Sequence, residues 1–173
     1  LTAALKKNPV DILFVSASSQ MIAEVKTDIP IIYMTDATFQ QLQGYYQSFS
    51  NLPDYNIRQG IALDKRAFQK AAHCMLASDW CKQSAIHDYG MADEKITVVP
   101  CGANLDQVPM TGEIGSSQQG NCRLLFLGVD WERKGGAIAL EAFRLLKKEN
   151  TSATLRIIGC VPPVEIMPEE GIE

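Results

Sequence analysis

The 173-residue sequence has no apolar run long enough to cross a bilayer. Its longest runs, DILFVSA, IPIIYM and RLLFLGV, hold about five to seven residues, against the ~20 that a membrane helix needs. It also lacks a basic excess: 16 Lys and Arg stand against 20 Asp and Glu, for a formal net charge of -4. A nucleic-acid-binding surface is thereby excluded, and an anionic ligand has to be met by a local group of donors. No CxxC pair occurs, and the cysteines at 74, 81, 101, 122 and 160 are odd in number and scattered. That pattern is neither a disulfide framework nor a zinc site, and it reads as reduced thiols in a cytosolic protein. The two histidines, His73 and His87, have no Cys, His or carboxylate partner at ligand spacing, so no metal is expected. G-x-G-x-x-G, the P-loop pattern and internal repeats are absent as well. The opening LTAALKKNPVD has neither a Met nor the layout of a signal peptide, and reads as the end of a helix.

What is present is 46% hydrophobic residues in short continuous runs separated by amphipathic stretches. This is the pattern of an α/β fold with strands buried on both faces of a parallel sheet. Six strands are predicted, starting near Asp11, Ile29, His73, Ile96, Arg123 and Leu155. A helix is predicted from about Ile57 to Ala72, with Ile57, Ile61, Phe68 and Ala72 on its apolar face. The segment SDWCKQSAIHDYG opens on the N-cap candidates Ser78 and Asp79 and closes on Gly90, which predicts a helix of about three turns. A further helix follows Gly135, with Ala139, Ala142, Phe143 and Leu146 inward and Arg144, Lys147 and Lys148 near its negative end. Residues 106–121, rich in Gly, Ser, Gln and Pro, read as a linker between a domain over 1–105 and the start of a second over 122–173. After Cys160 no strand is expected, so the second sheet is expected to have two strands.

Three places carry possible chemistry. In FLGVDWERKGG a strand ends at Gly128 and a helix begins at Gly135 and Gly136, just after Arg133 and Lys134. Free amides, the helix dipole and two cations suit a phosphate, and an ordinary glycine turn with solvated charges accounts for the same residues. In YMTDATF, Thr35 and Asp36 leave the C-terminal end of a strand, where open α/β sheets bind ligands. Asp36 is either a site carboxylate or the N-cap of a helix through ATFQQLQGYY. In VVPCGANLD, Pro100 and Gly102 make a hinge turn. Tyr45, Tyr46, Phe49 and Tyr55 form an aromatic-rich region that either lines an acceptor pocket or packs beneath a loop.

Taken in order, these segments resemble family 4 of the glycosyltransferases. AAHCMLASDWCKQSAIHDYGMADEKITVVPCGANLD is similar to the end of that family's N-terminal domain, with Gly102 and Asp106 in the closing turn. FLGVDWERKGGAIALEAFRLL is similar to the start of its C-terminal domain, where Lys134 and Gly135 match a lysine-glycine pair. Val129 occupies the position of the family's arginine, and Arg133 is the substitute cation. IIYMTDATF resembles the strand that brings a histidine and an aspartate to the cleft floor, with Thr35 at the histidine position and Asp36 at the aspartate.

The resemblance implies a GT-B fold, in which two Rossmann-like domains face each other across a donor cleft. The chain is expected to hold the later part of the first domain and the start of the second, as an internal segment of a longer enzyme that is inactive by itself. The implied activity is retaining transfer of a sugar from a UDP- or GDP-linked donor to an acceptor hydroxyl, in glycan or glycolipid biosynthesis. Neither a metal nor a cofactor is implied, since the nucleotide-sugar is itself a substrate. Gly128, Arg133, Lys134, Gly135 and Gly136 are the implied diphosphate contacts, and Asp36 an acceptor-side residue that positions rather than reacts. The implied partners are the donor and a glycan, lipid-linked or small-molecule acceptor, with the cytoplasm, or the cytoplasmic face of a membrane, as the place of work. The competing readings are a sugar-nucleotide epimerase of related fold and a non-catalytic phosphate-binding fragment.

Overall fold

Short, largely apolar runs become strands when a neighbour completes their backbone hydrogen bonds, and here six of them pair in parallel. The computed structural model describes residues 1–108, 110, 122–163 and 169–173. It divides into two units, Leu1–Asn104 and Leu105–Glu173. Most of the stretch read as a linker, 109 and 111–121, lies outside the described residues.

In the first unit, α1 (Thr2–Lys7) precedes β1 (Leu13–Ser16), α2 (Ser19–Ala23), β2 (Ile31–Thr35) and the short α3 (Phe39–Leu42). The long α4 (Asp54–Lys70) then leads into β3 (His73–Leu76), α5 (Asp79–His87) and β4 (Ile96–Val98). The four strands lie in the order β1-β2-β3-β4, all parallel. Because each crossover moves the chain one strand further in the same direction, right-handed connections put every helix on the same face. The core records this: Ile31, Tyr33, Cys74, Leu76 and Ile96 of the sheet pack with Ile22 of α2, Phe68 of α4, and Cys81 and Ala85 of α5.

The opposite face differs from the expectation of burial on both sides. Phe14 there is exposed, and Ile32, Met34 and Met75 are half-buried. In α4 the apolar face ends on Ala67, Phe68 and Ala71, whereas Ala72 is exposed. The helix stops at Lys70, and Ala71 turns to extended geometry, so Ala72 no longer follows the helical period. Ser78 caps α5 as its sequence position implies, accepting from the Cys81 amide at 3.2 Å.

The second unit has β5 (Arg123–Leu127), α6 (Gly136–Glu149) and β6 (Thr154–Ile158), with β5 and β6 parallel. One side of the sheet packs on α6 through Phe126, Leu140, Phe143 and Leu155. The inward face of α6 is centred on Leu140 and Phe143; Ala142 is exposed. The sequence does not fix this phase, because Ile138 and Leu145, both exposed, leave apolar residues all around the helix. Among the described residues the second sheet has two strands, as the sequence implies, and the chain end adds only an isolated bridge beside them. Ile172 bridges Leu155 in parallel, and the amides of Leu155 and Ile157 donate to the carbonyls of Gly171 and Glu173.

β5 and β6 come very close at their C-terminal ends. A Cβ on Gly159, at φ +95°, would lie 2.9 Å from the Gly128 carbonyl oxygen. Gly159→Ala is therefore expected to destabilise the second unit by about 2–3 kcal/mol, from left-handed strain together with a backbone clash. Gly90 has φ +70° but open space at its Cβ, so Gly90→Ala is expected to cost the first unit about 1 kcal/mol. Denaturant midpoints of the two variants, each followed in its own unit, check the contrast; equal losses would remove the clash from the explanation.

Candidate functional site

At the C-terminal edge of the first sheet a cavity of about 290 Å³ opens between the turns that follow β1 and β2 and the side of α4. Ala17 and Ser19 line it after β1; Thr35 and Asp36 line it after β2; Phe39 and Asp64 close it. Ala17 holds φ +47°, a strained value for an alanine, while its amide donates to the Met34 carbonyl at 2.8 Å.

The turn carrying Thr35 and Asp36 is held from below by polar groups. Thr35, nearly buried, donates its hydroxyl to the Ala37 carbonyl at 2.9 Å. Thr38, fully buried, caps α3: its Oγ1 accepts from the Gln41 amide at 3.3 Å, and Gln41 Oε1 accepts from the Thr38 amide at 3.1 Å. Asp36 is exposed and takes no part in the cap. The N-cap reading of Asp36 thus gives way to Thr38, since the Thr-x-x-Gln spacing closes both hydrogen bonds.

The next two amides of α3 find acceptors far along the sequence. The Phe39 amide donates to Asp64 Oδ2 at 2.7 Å, and the Gln40 amide donates to the Tyr89 hydroxyl at 3.0 Å. Every donor that a helix start normally leaves open is thereby used. Beneath Thr38, the Ser84 hydroxyl lies 2.7 Å from Thr38 Oγ1 and donates to Asp88 Oδ2 at 2.5 Å. Ser84 has one proton and gives it to Asp88, so Thr38 is the donor to Ser84.

Asp64 is 5% exposed, sits on the inner side of α4, and reaches the cavity wall. Its charge adds to the effect of burial on two phenols. Burial first, then Asp64, raises Tyr33 to about 12, against hydrogen bonds from Thr35 and Ser19 that pull it back. Burial and Asp64 raise Tyr89 further. Both therefore stay protonated at neutral pH, and the cavity is lined by the carboxyl groups of Asp36 and Asp64 and the hydroxyls of Ser19, Tyr33 and Thr35, a poor surface for an anion and a good one for the hydroxyl groups of a neutral ligand.

Sequence reading missed Asp64, Ser84 and Tyr89. For Asp64 the signal was present: Ile57, Ile61, Asp64 and Phe68 fall at i, i+4, i+7 and i+11, which puts a carboxylate on an otherwise apolar helix face.

In the second unit, the turn from Gly128 to Gly136 is wound on itself. The amides of Lys134, Gly135 and Gly136 donate to the carbonyls of Asp130, Glu132 and Trp131. The amides of Gly135 and Gly136, read from the sequence as phosphate donors, are thus taken within the turn. The first amides of α6 with no backbone acceptor among the described residues are those of Ala137 and Ile138. Gly135 is left-handed, at φ +75°. Trp131 packs over Gly136, where an added Cβ would lie 2.2 Å from the indole. Arg133 lies 3.7 Å from Asp130, and its amide donates to the same carboxylate. Lys134 is exposed, with its stem against Gly128. Among the described residues, no three His, Cys, Asp or Glu side chains gather as a metal ion requires, and no helix is long and apolar enough to cross a membrane.

No curated protein matches the chain. The family model of Glycosyltransferase Family 4 matches residues 1–107, which takes in the whole four-stranded Rossmann-like sheet and its cavity. The chain belongs to Glycosyltransferase Family 4.

Proposed function

We propose that this glycosyltransferase moves a sugar from a UDP- or GDP-linked donor to an acceptor hydroxyl with retention of anomeric configuration, in glycan or glycolipid synthesis. The observation that carries this reading is the contrast between two turns that follow parallel strands. In the first unit every amide at the start of α3 is satisfied internally and carboxylates face the cavity, which suits a neutral hydroxyl-bearing acceptor. In the second unit the Ala137 and Ile138 amides have no backbone acceptor among the described residues and follow Lys134 closely in sequence, which suits a diphosphate.

Lys134 offsets charge as the nucleoside diphosphate departs, the helix dipole of α6 adds to it, and Gly128, Gly135 and Gly136 shape the backbone for close approach. Arg133, already paired with Asp130, contributes less. Asp36 accepts a hydrogen bond from the acceptor and orients it, and no partner base is assigned to it. The nucleotide-sugar serves as substrate and no further cofactor is invoked. Five scattered cysteines without a paired spacing support a reducing compartment, which we take to be the cytoplasm, with acceptors at a membrane face within reach.

Calorimetric titration with UDP and with GDP tests the donor side. Lys134→Ala is expected to weaken binding by about 1.5–3 kcal/mol, and Arg133→Ala by less. Equal affinity in parent and Lys134→Ala, or no nucleotide binding at millimolar ligand, would end the donor-site assignment.

A further inference from the structure

The aromatic residues after α3 form a connected series of rings rather than a buried pad. Phe39 and Phe49, which both line the cavity, meet edge to face at 5.8 Å. Phe49 meets Tyr46 at 6.4 Å, Tyr46 meets Tyr45 at 5.3 Å, and Tyr45 meets Trp80 of α5 at 6.3 Å. The series begins inside the cavity and ends in solvent, where Tyr45 is 66% and Trp80 53% exposed. Two large neighbouring aromatics left open at one spot are uncommon on a soluble surface and mark a contact site.

The chemistry around the rings selects the ligand. Between Asp36 and Asp54 the sequence has no charged side chain, and it carries Gln40, Gln43 and Gln47 beside Gln41, whose own amide is taken by Thr38 and Trp80. Amides both donate and accept, as sugar hydroxyls do, and ring faces take the C–H faces of pyranoses. An anionic lipid surface would call for Lys and Arg, which this stretch lacks; the nearby Lys82 is paired with Asp93 at 2.5 Å. The track is also held in place, because Gln41 Nε2 donates to the Trp80 carbonyl at 2.8 Å and ties α3 to α5.

We infer that the aromatic track from Phe39 to Trp80 is an extended saccharide subsite, which binds the sugar units of a neutral oligosaccharide acceptor whose terminal unit enters the cavity. The acceptor is then a growing glycan chain rather than a single small molecule. This rests on the transferase reading above.

The test is calorimetric titration without nucleotide, using glucose, mannose and N-acetylglucosamine, the linear hexasaccharides of each, and vesicles of neutral and of anionic phospholipid. At least one hexasaccharide is expected to bind about tenfold or more tightly than its own monosaccharide. Tyr45→Ala and Trp80→Ala are expected to remove most of that gain while leaving the monosaccharide within about twofold, and Trp80→Phe to restore part of it. Circular dichroism confirms that the variants are folded. Hexasaccharides no tighter than monosaccharides, no saccharide binding at all, or vesicle binding through Trp80 in place of sugar binding each overturns the inference. The separate UDP and GDP titration distinguishes the two failures. Nucleotide binding with no chain-length gain removes the track alone, and a chain-length gain with no nucleotide binding removes the transferase reading.

Discussion

Asp64→Ala is expected to lower the unfolding midpoint of the first unit by on the order of 10–20 °C, corresponding to about 2–3 kcal/mol in a unit of this size. The loss has two parts. A charge-assisted hydrogen bond to the Phe39 amide disappears, and that part-buried amide is left without its acceptor. Asp64→Asn keeps a carbonyl oxygen for the amide and is expected to lose only about 1 kcal/mol. All five tyrosines fall in the first unit, so near-ultraviolet signals of tyrosine follow its unfolding without interference from the second. If the alanine variant is no less stable than the asparagine variant, the carboxylate does not hold α3, and the account of the turn under Asp36 is wrong. The same pair reports on function. Because the turn that presents Asp36 is fixed through Phe39, Asp64→Ala is expected to weaken calorimetric binding of the proposed saccharide acceptor more than Asp64→Asn does.

The strands were legible because each is a short, largely apolar run, and the alternation of such runs with amphipathic stretches implied parallel pairing. The start of α5 was legible because Ser78 stands before an uninterrupted helical stretch. Legibility ended where two local signals competed. At TDATFQQ, an aspartate at the strand end drew the cap away from Thr38, although the Thr-x-x-Gln box was written in the same residues. In α6 apolar residues all around the helix hid the phase, and tertiary packing chose Leu140 over Ala142. The amides of Gly135 and Gly136 were misjudged for a different reason. A glycine pair signals close backbone approach, but whether its amides point outward depends on the turn before it. Here Trp131 and Glu132 curl back to accept them. The network joining Thr38 to Ser84 and Asp88, and Gln40 to Tyr89, spans 46 to 50 residues of sequence and exists only after folding.

That network also shows how the candidate groups of the first unit differ energetically from those of the second. In the first unit the polar groups near Asp36 are spent on one another, so the turn is rigid and the cavity offers acceptor oxygens with little freedom to move. In the second unit the groups proposed to meet the diphosphate are an exposed lysine and two amides with no backbone acceptor among the described residues, which would gain most of their value when a ligand excludes water from them. Substitutions near Asp36 should therefore act through stability and acceptor geometry together, whereas Lys134→Ala should leave stability nearly unchanged and act on nucleotide affinity alone.

The first unit is expected to unfold cooperatively in alkali, well before its backbone chemistry would suggest. Burial raises Cys74 and Cys81 from 9.0 to about 12, with Asp36 and Asp64 adding to the shift at Cys81. Burial likewise raises Tyr33 from 10.0 to about 12, and raises Tyr89. All four shifts are upward, so the folded state holds protons that the unfolded chain releases. Their contribution to stability is complete below about pH 9 and is lost as pH rises from there towards 12. Each pH unit in that window costs about 1.4 kcal/mol per group at most, the thiols acting from about 9 and the phenols from about 10. By pH 11 the loss reaches several kcal/mol, comparable with the whole stability of a small domain. Tyrosinate absorbance is therefore expected to show a step for the two buried phenols that coincides with loss of helical circular dichroism, and Cys74 and Cys81 to take up iodoacetamide in the same step. Tyr33→Phe removes one proton from the step and should flatten its dependence on pH. If those phenols and thiols instead titrate or react while the helices persist, their burial does not control the stability of the unit, and the core of the first sheet is more open to water than its packing implies.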